Sequence, residues 1–464
     1  MIFHAFFGIN SHYSLSVVNI PAKIIKEFIK ISFYTRYHVR LTEGQLTWIW
    51  SLICTLPAVG AVVAAVPLPF TADLLGRRDT LMKYNSFNIV LASLALLSCK
   101  FLNSFELLVL GRFLFGISIG ITMLLAVYIT ECSPAYCRGM TASLFGVGSS
   151  FWQLFSIIMS LPQLLGTESG WPFLLALPAL PAIIYFMMTG TIKKSPKYLL
   201  LHENKAEEAK KSIRFYHGTM ADVDLIIEEI QKEDSLVEEK MSLKEIWEKS
   251  YLKWPMIIVC AANTVPALCG ISISDNYSSM IFASMENTNI AIVICAVPPI
   301  AIAVTSVFLV ESIGRRKLIL VSLVGGMIAM IFFILSYFVP TSILKYIIAF
   351  SGLFLSQISS FLCVGVVPFL PEELCPQGAR ATVDAMATWF NWGPNVVVDT
   401  FFPIVETITG PAAYLPFIVC AIPVLIFLCK TMPETKNQPV DEIVKRFMSN
   451  KAEEHPLILK NVEH

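Results

Sequence analysis

Runs of about twenty apolar residues recur along almost the whole chain, and a run of that length is what an α-helix needs to cross the hydrocarbon core of a bilayer. Such spans fall near 2–20, 47–71, 81–101, 105–128, 141–163, 172–191, 254–282, 288–310, 317–339, 344–370, 381–403 and 411–430, six on each side of one hydrophilic insert. With 464 residues, 55 % hydrophobic and only 15 % charged, the chain cannot be an ordinary soluble globule. The reading is an all-α membrane protein of twelve transmembrane helices in two pseudo-symmetric six-helix bundles, with the lipid bilayer as its standing partner. Its formal net charge of +0 leaves no basic excess for nucleic acid. The eleven cysteines lie in or near apolar runs, for example Cys54, Cys260 and Cys420, with no CxxC pair or His cluster, so neither metal nor cofactor is expected. No nucleotide loop or nucleophile triad suggests an enzyme.

The stretch Gly111–Gly139 organises the first half. It is read as one membrane-length helix with Arg112 at one rim and Glu131, Pro134 and Arg138 at the other, because a charge at mid-bilayer costs about 3 kcal/mol or more. Gly116 and Gly120, four residues apart, give that helix a small face against which a neighbour can pack closely. The charge grammar then repeats. Asp73, Gly76, Arg77 and Arg78 precede Glu131 and Arg138, as Glu311, Gly314, Arg315 and Arg316 precede Glu373 and Arg380. The separations between halves are 238 residues for the first acid and 242 for the second, which argues for two similar halves arising by parallel duplication.

Four domains follow: an amino-terminal bundle (1–191), a helical insert (192–253), a carboxyl-terminal bundle (254–430) and a tail (431–464). The positive-inside rule puts the loops carrying Arg77, Arg138, Arg315 and Arg380 in the cytoplasm, together with the insert and both termini. One segment runs against the rule: 21–46 carries Lys23, Lys26, Lys30, Arg36 and Arg40 yet falls outside. The amino terminus reads as a first span and not as a removable signal, having no basic residue before its apolar segment. The insert is patterned as short amphipathic helices, Ala206–Tyr216 and Val223–Glu233, that serve either as a solvated linker or as a latch between bundles.

Candidate site residues come from interrupted spans. Span seven holds Pro266, Gly270, Ser272, Ser274, Asp275 and Asn276, and span ten ends in Pro368 and Pro371. A broken helix frees backbone groups that must be satisfied by protein, water or a bound molecule, so it tends to line a cavity. Span eleven adds Trp389, Asn391, Trp392, Gly393, Pro394 and Asn395. An indole covers the C–H face of a polyhydroxylated ring while flanking amides pair with its hydroxyls. The alternative is that these amides bond neighbouring helices. Asp275 is expected either to meet a substrate or cation or, preferably, to face water in an outer vestibule.

Taken together, Asp73-x-x-Gly76-Arg77-Arg78, Gly111-Arg112, Glu131-x-x-Pro134-x-x-x-Arg138-Gly139, Ser195-Pro196-Lys197, Glu311-x-x-Gly314-Arg315-Arg316, Glu373-x-x-x-x-x-x-Arg380 and Pro433-Glu434-Thr435-Lys436 resemble the sugar porters of the major facilitator superfamily. The animal facilitative glucose transporters are most similar, with Asn19-Ile20-Pro21 adding to the likeness. The resemblance implies alternating access around a central sugar site, in the plasma membrane, with Arg77, Arg78, Glu131, Arg138, Glu311, Arg315, Arg316, Glu373 and Arg380 as a gating network that pairs across the two bundles. Asn391, Trp392, Asn395, Tyr277 and Ser272 are the expected substrate contacts. Several positions depart from the family: Gly146, Pro266, Ala267, Ser272 and Pro299 stand where relatives carry amides, and Ser360 or Cys363 where they carry a Glu. Symporting relatives place an Asp where this chain has Ser14, so uniport is favoured over proton coupling. The expected function is facilitative transport of a hexose or polyol; the alternatives are a non-transporting sugar sensor or a carrier of another small metabolite. Oligomeric state stays open.

Overall fold

The computed structural model describes residues 2–134, 138–218, 222–235, 241–281, 288–340 and 343–436, with 438, 442–443 and 446–447 beyond them. Most of the expected tail, and the side chains of Asp73, Arg138 and Glu311, lie outside the described residues. Within them every regular element is a helix. Seven stretches are long and apolar enough to cross a membrane: Glu43–Ala65, Phe105–Cys132, Trp171–Gly190, Ser250–Ser279, Arg315–Phe338, Ile343–Leu374 and Gly378–Thr431. The last contains two expected spans in one run, and Leu144–Met159 and Asn289–Thr305 are shorter apolar helices.

The first span is not one straight helix. Ile2–Phe7 is followed by a 3-10 turn, Asn10–His12, and by Tyr13–Ser16. Its polar residues Asn10, Ser11, Ser14, Ser16 and Asn19 are all buried, so the break turns polar groups into the bundle and away from lipid. Residues 21–46, expected as a loop, instead contain a sixteen-residue helix, Ala22–Tyr37, which buries Ile25, Ile29 and Ser32. Arg36 pairs with Glu106 at 2.5 Å, Lys30 reaches Glu27 and Glu43 at 3.2 and 3.1 Å, and Lys26 lies 5.2 Å from the centre of the Trp50 ring.

Close packing of the Glu43–Ala65 and Phe105–Thr122 helices bears out the small-residue face. A Cβ on Gly116 would lie 2.5 Å from the carbonyl oxygen of Pro57 and 2.8 Å from Cα of Gly60, so the two backbones touch directly. Arg112, however, is not at a rim. It is fully buried, its Nε donating to the carbonyl of Ile53 at 3.1 Å and its Nη1 to the carbonyl of Ser14. The helix also ends at Thr122 and restarts at Leu124, and Arg138 begins a further helix, Arg138–Met159, so the long Gly111–Gly139 stretch is not one element. Buried acceptors on two neighbouring spans make the interior charge tolerable where lipid would not.

The insert forms Pro196–Leu201, Ala206–His217, Val223–Ser235 and Leu243–Glu248. Leu199, Leu200 and Ala209 pack with Ile227 and Ile230 in a small core of their own. Its two ends are held by different bundles. Arg78 and Tyr128 donate to the carbonyls of Ile192 and Lys193, while the amide of Met241 donates to Gly378 and Ile246 joins the carboxyl-terminal core. Glu245 closes a capping box on Ser242, whose backbone amide and hydroxyl hold its carboxyl below the usual range.

Candidate functional site

Span seven is broken as its sequence demands. Ser250–Asn263 and Val265–Leu268 are followed by Gly270 at φ +85°, and the chain resumes as Ile271–Ile281. The break sets Ser272, Asp275 and Asn276 on one face of the resumed helix, at i, i+3 and i+4. Opposite stands Gln377–Thr409, on which Asn391, Asn395 and Asp399 recur every four residues and so form a polar stripe. Ser272 Oγ donates to Asn395 Oδ1 at 2.6 Å, and Asn276 Nδ2 to Asp399 Oδ1 at 3.1 Å, zipping the two faces together.

These residues wall one end of a cavity of about 370 Å³ between the bundles. From Asp275 and Asp399 the cavity runs past Asn391, Trp392 and Asn395 to Arg77, Thr130, Glu372 and Asp384 at the end of the molecule that carries the insert. The opposite end is closed by uncharged contacts between bundles. Asn19 donates to Ser278 Oγ at 2.6 Å and accepts from the Ser279 amide at 3.1 Å; Thr55 and Thr400 hydroxyls meet at 3.0 Å; Trp48 and Phe401 stack edge to face. The cavity thus faces the insert end in this conformation.

Of the expected substrate contacts, Ser272, Asn391, Trp392 and Asn395 line the cavity. Trp392 is half-buried with its indole Nε1 unpartnered, free to donate. Tyr277 does not line it: the ring is fully buried and its hydroxyl donates to the backbone carbonyl of Asp399 at 2.7 Å, so it braces span eleven. Trp389 is 46 % exposed and turns to the outer surface. Asp275 is not in an outer vestibule either. It sits between the bundles, its Oδ1 accepting from Gln153 of the amino-terminal half and from Gln357 Nε2 at 3.4 Å. Sequence reasoning passed over Gln153, Gln357, Asp399 and the inward Arg112. The four-residue spacing of Asn391 and Asn395 continues to Asp399 and is the signal that could have found it.

At the insert end the two halves carry matching constellations. Arg77 Nε lies 3.3 Å from Glu131 Oε1, and Ser195 Oγ donates to Glu131 Oε2 at 2.6 Å. In the other half Arg315 Nε donates to Glu373 Oε1 at 2.9 Å, and Thr435 Oγ1 to Glu373 Oε2 at 2.5 Å. Each begins from a glycine of positive φ, Gly76 at +81° and Gly314 at +94°. Both carboxylates are therefore paired within their own bundle, where the sequence suggested pairing across the two. The physical reason is local: the turn at each glycine starts a helix whose first residue already faces the acid of the same half. Arg78 bonds Asp79 at 2.7 Å and the Ile192 carbonyl, Arg316 the Cys429 carbonyl at 2.5 Å, and Arg380 the Cys375 carbonyl at 3.0 Å. The side chains of Arg138 and Glu311 are outside the described residues.

Comparison with known proteins agrees with this architecture. The family model "Sugar (and other) transporter" matches residues 1–447. The chain is 29 % identical over 451 residues to facilitated glucose transporter member 1 of solute carrier family 2 from Gallus gallus, covering 95 % of this chain and 91 % of the relative. It is 30 % identical over 455 residues to member 9 from Homo sapiens, covering 95 % and 83 %. Among solved structures, the proton:xylose symporter XylE bound to 6-bromo-6-deoxy-D-glucose superposes with a TM-score of 0.77 at 18 % identity, covering 96 % of this chain and 98 % of that one. The inward open conformation of XylE from E. coli superposes at 0.76, with the same identity and coverage. These likenesses establish the major facilitator fold of an integral membrane protein that is not an enzyme. Matched along nearly its whole length, the chain belongs to the sugar transporter family.

Proposed function

We propose that this protein carries a hexose or related polyol across the plasma membrane by alternating access, as a uniporter, with the insert and both termini in the cytoplasm. The observation that carries the reading is the cavity itself. Its volume of about 370 Å³ suits one small polar molecule. Trp392 offers an aromatic face with an unpartnered N–H, and Asn391 its side-chain amide, while Ser272 and Asn395, bonded to each other, keep the remaining lone pairs and N–H for hydroxyls. Relatives named as facilitated glucose transporters support a sugar as the substrate. Uniport is favoured because Arg112 meets only a backbone carbonyl, that of Ser14, in the first span, and no acid stands between Met1 and Asn19.

The bundles 1–191 and 254–430 are taken as the moving bodies, the insert 192–253 as the brace that joins their rims, and 431–464 as a tail. Arg77, Glu131, Arg315 and Glu373, with Arg78, Arg138, Glu311, Arg316 and Arg380, form the rim network whose rearrangement closes the cavity when it turns outward. Such partly buried pairs are strong enough to bias one orientation and weak enough to break during turnover. The test is uptake of a panel of labelled hexoses and polyols into vesicles of transporter-null cells expressing the protein. Saturable uptake that ignores an imposed pH gradient is expected; no uptake of any member of the panel overturns the reading.

A further inference from the structure

The deep end of the cavity has more hydrogen-bond acceptors than a neutral sugar site needs. Gln153, Asp275, Asn276, Gln357 and Asp399 are each at least nine-tenths buried. The amide groups of Gln153 and Gln357 donate to Asp275, and that of Asn276 to Asp399. Because a carboxylate only accepts, these contacts fix which way each amide points, and the amide oxygens are left facing elsewhere. Gln153 Oε1, Gln357 Oε1 and Asn276 Oδ1 are indeed buried and without a hydrogen-bond partner. A buried acceptor left unmatched costs about 1–3 kcal/mol, so three in one place, two of them on side chains that line the cavity, call for a donor from outside the protein.

Charge points the same way. With both acids ionised, Asp275 and Asp399 outweigh Arg112, the one cation at this depth among the described residues, by one negative charge. Arg112 offers the cavity a single spare donor, Nη2, which suits a hydroxyl oxygen. The other ionisable groups lining the cavity are His12 and Cys54 nearby, and Arg77, Glu372 and Asp384 toward the insert end. Spacing links the cluster to the sugar face. Asp399 follows Asn395 by four residues, about 6 Å along the helix, roughly the distance between substituents on opposite carbons of a six-membered ring. A ring covered by Trp392 and bonded by Asn395 thus brings a ring substituent to the acids.

We infer that this deep end, walled by Gln153, Asp275, Asn276 and Asp399, is a subsite for a protonated amine, so that the preferred substrate is an aminated sugar or polyol. An ammonium supplies three donors and one positive charge, which answers both the unmatched oxygens and the surplus negative charge. The inference rests on the sugar-transport reading and narrows its substrate.

The full-length protein in liposomes tests it, through uptake of labelled D-glucosamine, N-acetyl-D-glucosamine and D-glucose at mildly acidic pH, each below saturation. D-glucosamine is expected to enter about tenfold faster than either neutral sugar, the value of one charge-assisted hydrogen bond. In Asp275→Asn and Asp399→Asn, the ratio of amine to neutral sugar is expected to fall toward one. Should neither variant reach the membrane, the wild-type ratio decides alone, since it should fall as alkali removes the ammonium charge. Uptake of D-glucosamine without D-glucose also supports the subsite. Equal uptake of all three overturns the inference while leaving sugar transport intact. Neutral-sugar uptake driven by sodium or potassium, with no amine preference, overturns it in favour of an inorganic cation. If no sugar enters, the function reading falls and this inference with it.

Discussion

The rim at the insert end and the central cavity are built on opposite plans. At the rim, each half repeats the other: glycine of positive φ, arginine, glutamate and a hydroxyl donor, at separations of 238 for the glycines and arginines, 242 for the glutamates and 240 for Ser195 and Thr435. In the cavity the repeat is lost. Ser272, Asp275, Asn276, Asn391, Trp392, Asn395 and Asp399 all come from the carboxyl-terminal half, while the amino-terminal half answers with a different set, His12, Arg112, Ser149 and Gln153. A rocking mechanism needs matched ends, since both bundles must tilt against one another about a shared axis. A binding site has no such need, and one half is free to specialise. On the proposed function, the symmetric rims are the moving parts and the asymmetric cavity is the binding site.

That contrast can be broken at four levels. The largest effect belongs to neither region: Gly116→Val should cost about 3 kcal/mol by overpacking the Pro57–Gly60 contact, read as lost folded protein in a thermal-shift assay of the detergent-solubilised chain. Next come the rim acids. Glu131→Gln and Glu373→Gln each remove the negative charge that a partly buried arginine meets, and a loss of about 2 kcal/mol should slow exchange about thirtyfold in both without altering substrate preference. Unequal effects of the two would show that the halves do not share the work. In the cavity, Trp392→Ala should raise KM about tenfold, some 1.5 kcal/mol, at unchanged surface expression. An unchanged KM would remove the indole from the site. Smallest are Ser195→Ala and Thr435→Ala, each losing one hydrogen bond to its glutamate and about 1 kcal/mol, or about fivefold in exchange rate.

Much of this was legible before any coordinates. Apolar run length fixes the helical class, Gly116 and Gly120 announce a close helix contact, and Pro266 with Gly270 announces the break in span seven. The rim motifs were legible as a repeat, but not their partners, because which acid an arginine meets depends on the turn that launches its helix. Arg112 was misplaced for a similar reason. Its depth is set by the broken first span, whose Ser14 carbonyl reaches in to accept from it. Gln153 and Gln357 are single amides in apolar runs, and nothing in a linear reading says that both converge on Asp275. The helix over Ala22–Tyr37 was hidden by its five-cation neighbourhood, in which Lys30, Arg36 and Lys26 meet Glu43, Glu106 and the Trp50 ring, partners too distant in sequence to be noticed.

The central claim, that one cavity faces the two compartments in turn, is tested most directly by counterflow. Liposomes holding the protein and preloaded with an unlabelled sugar substrate should take up the labelled form transiently above its equilibrium level, at a rate indifferent to a proton gradient. Uptake that never exceeds equilibrium, whatever the preload, would contradict a carrier that must return its site across the membrane.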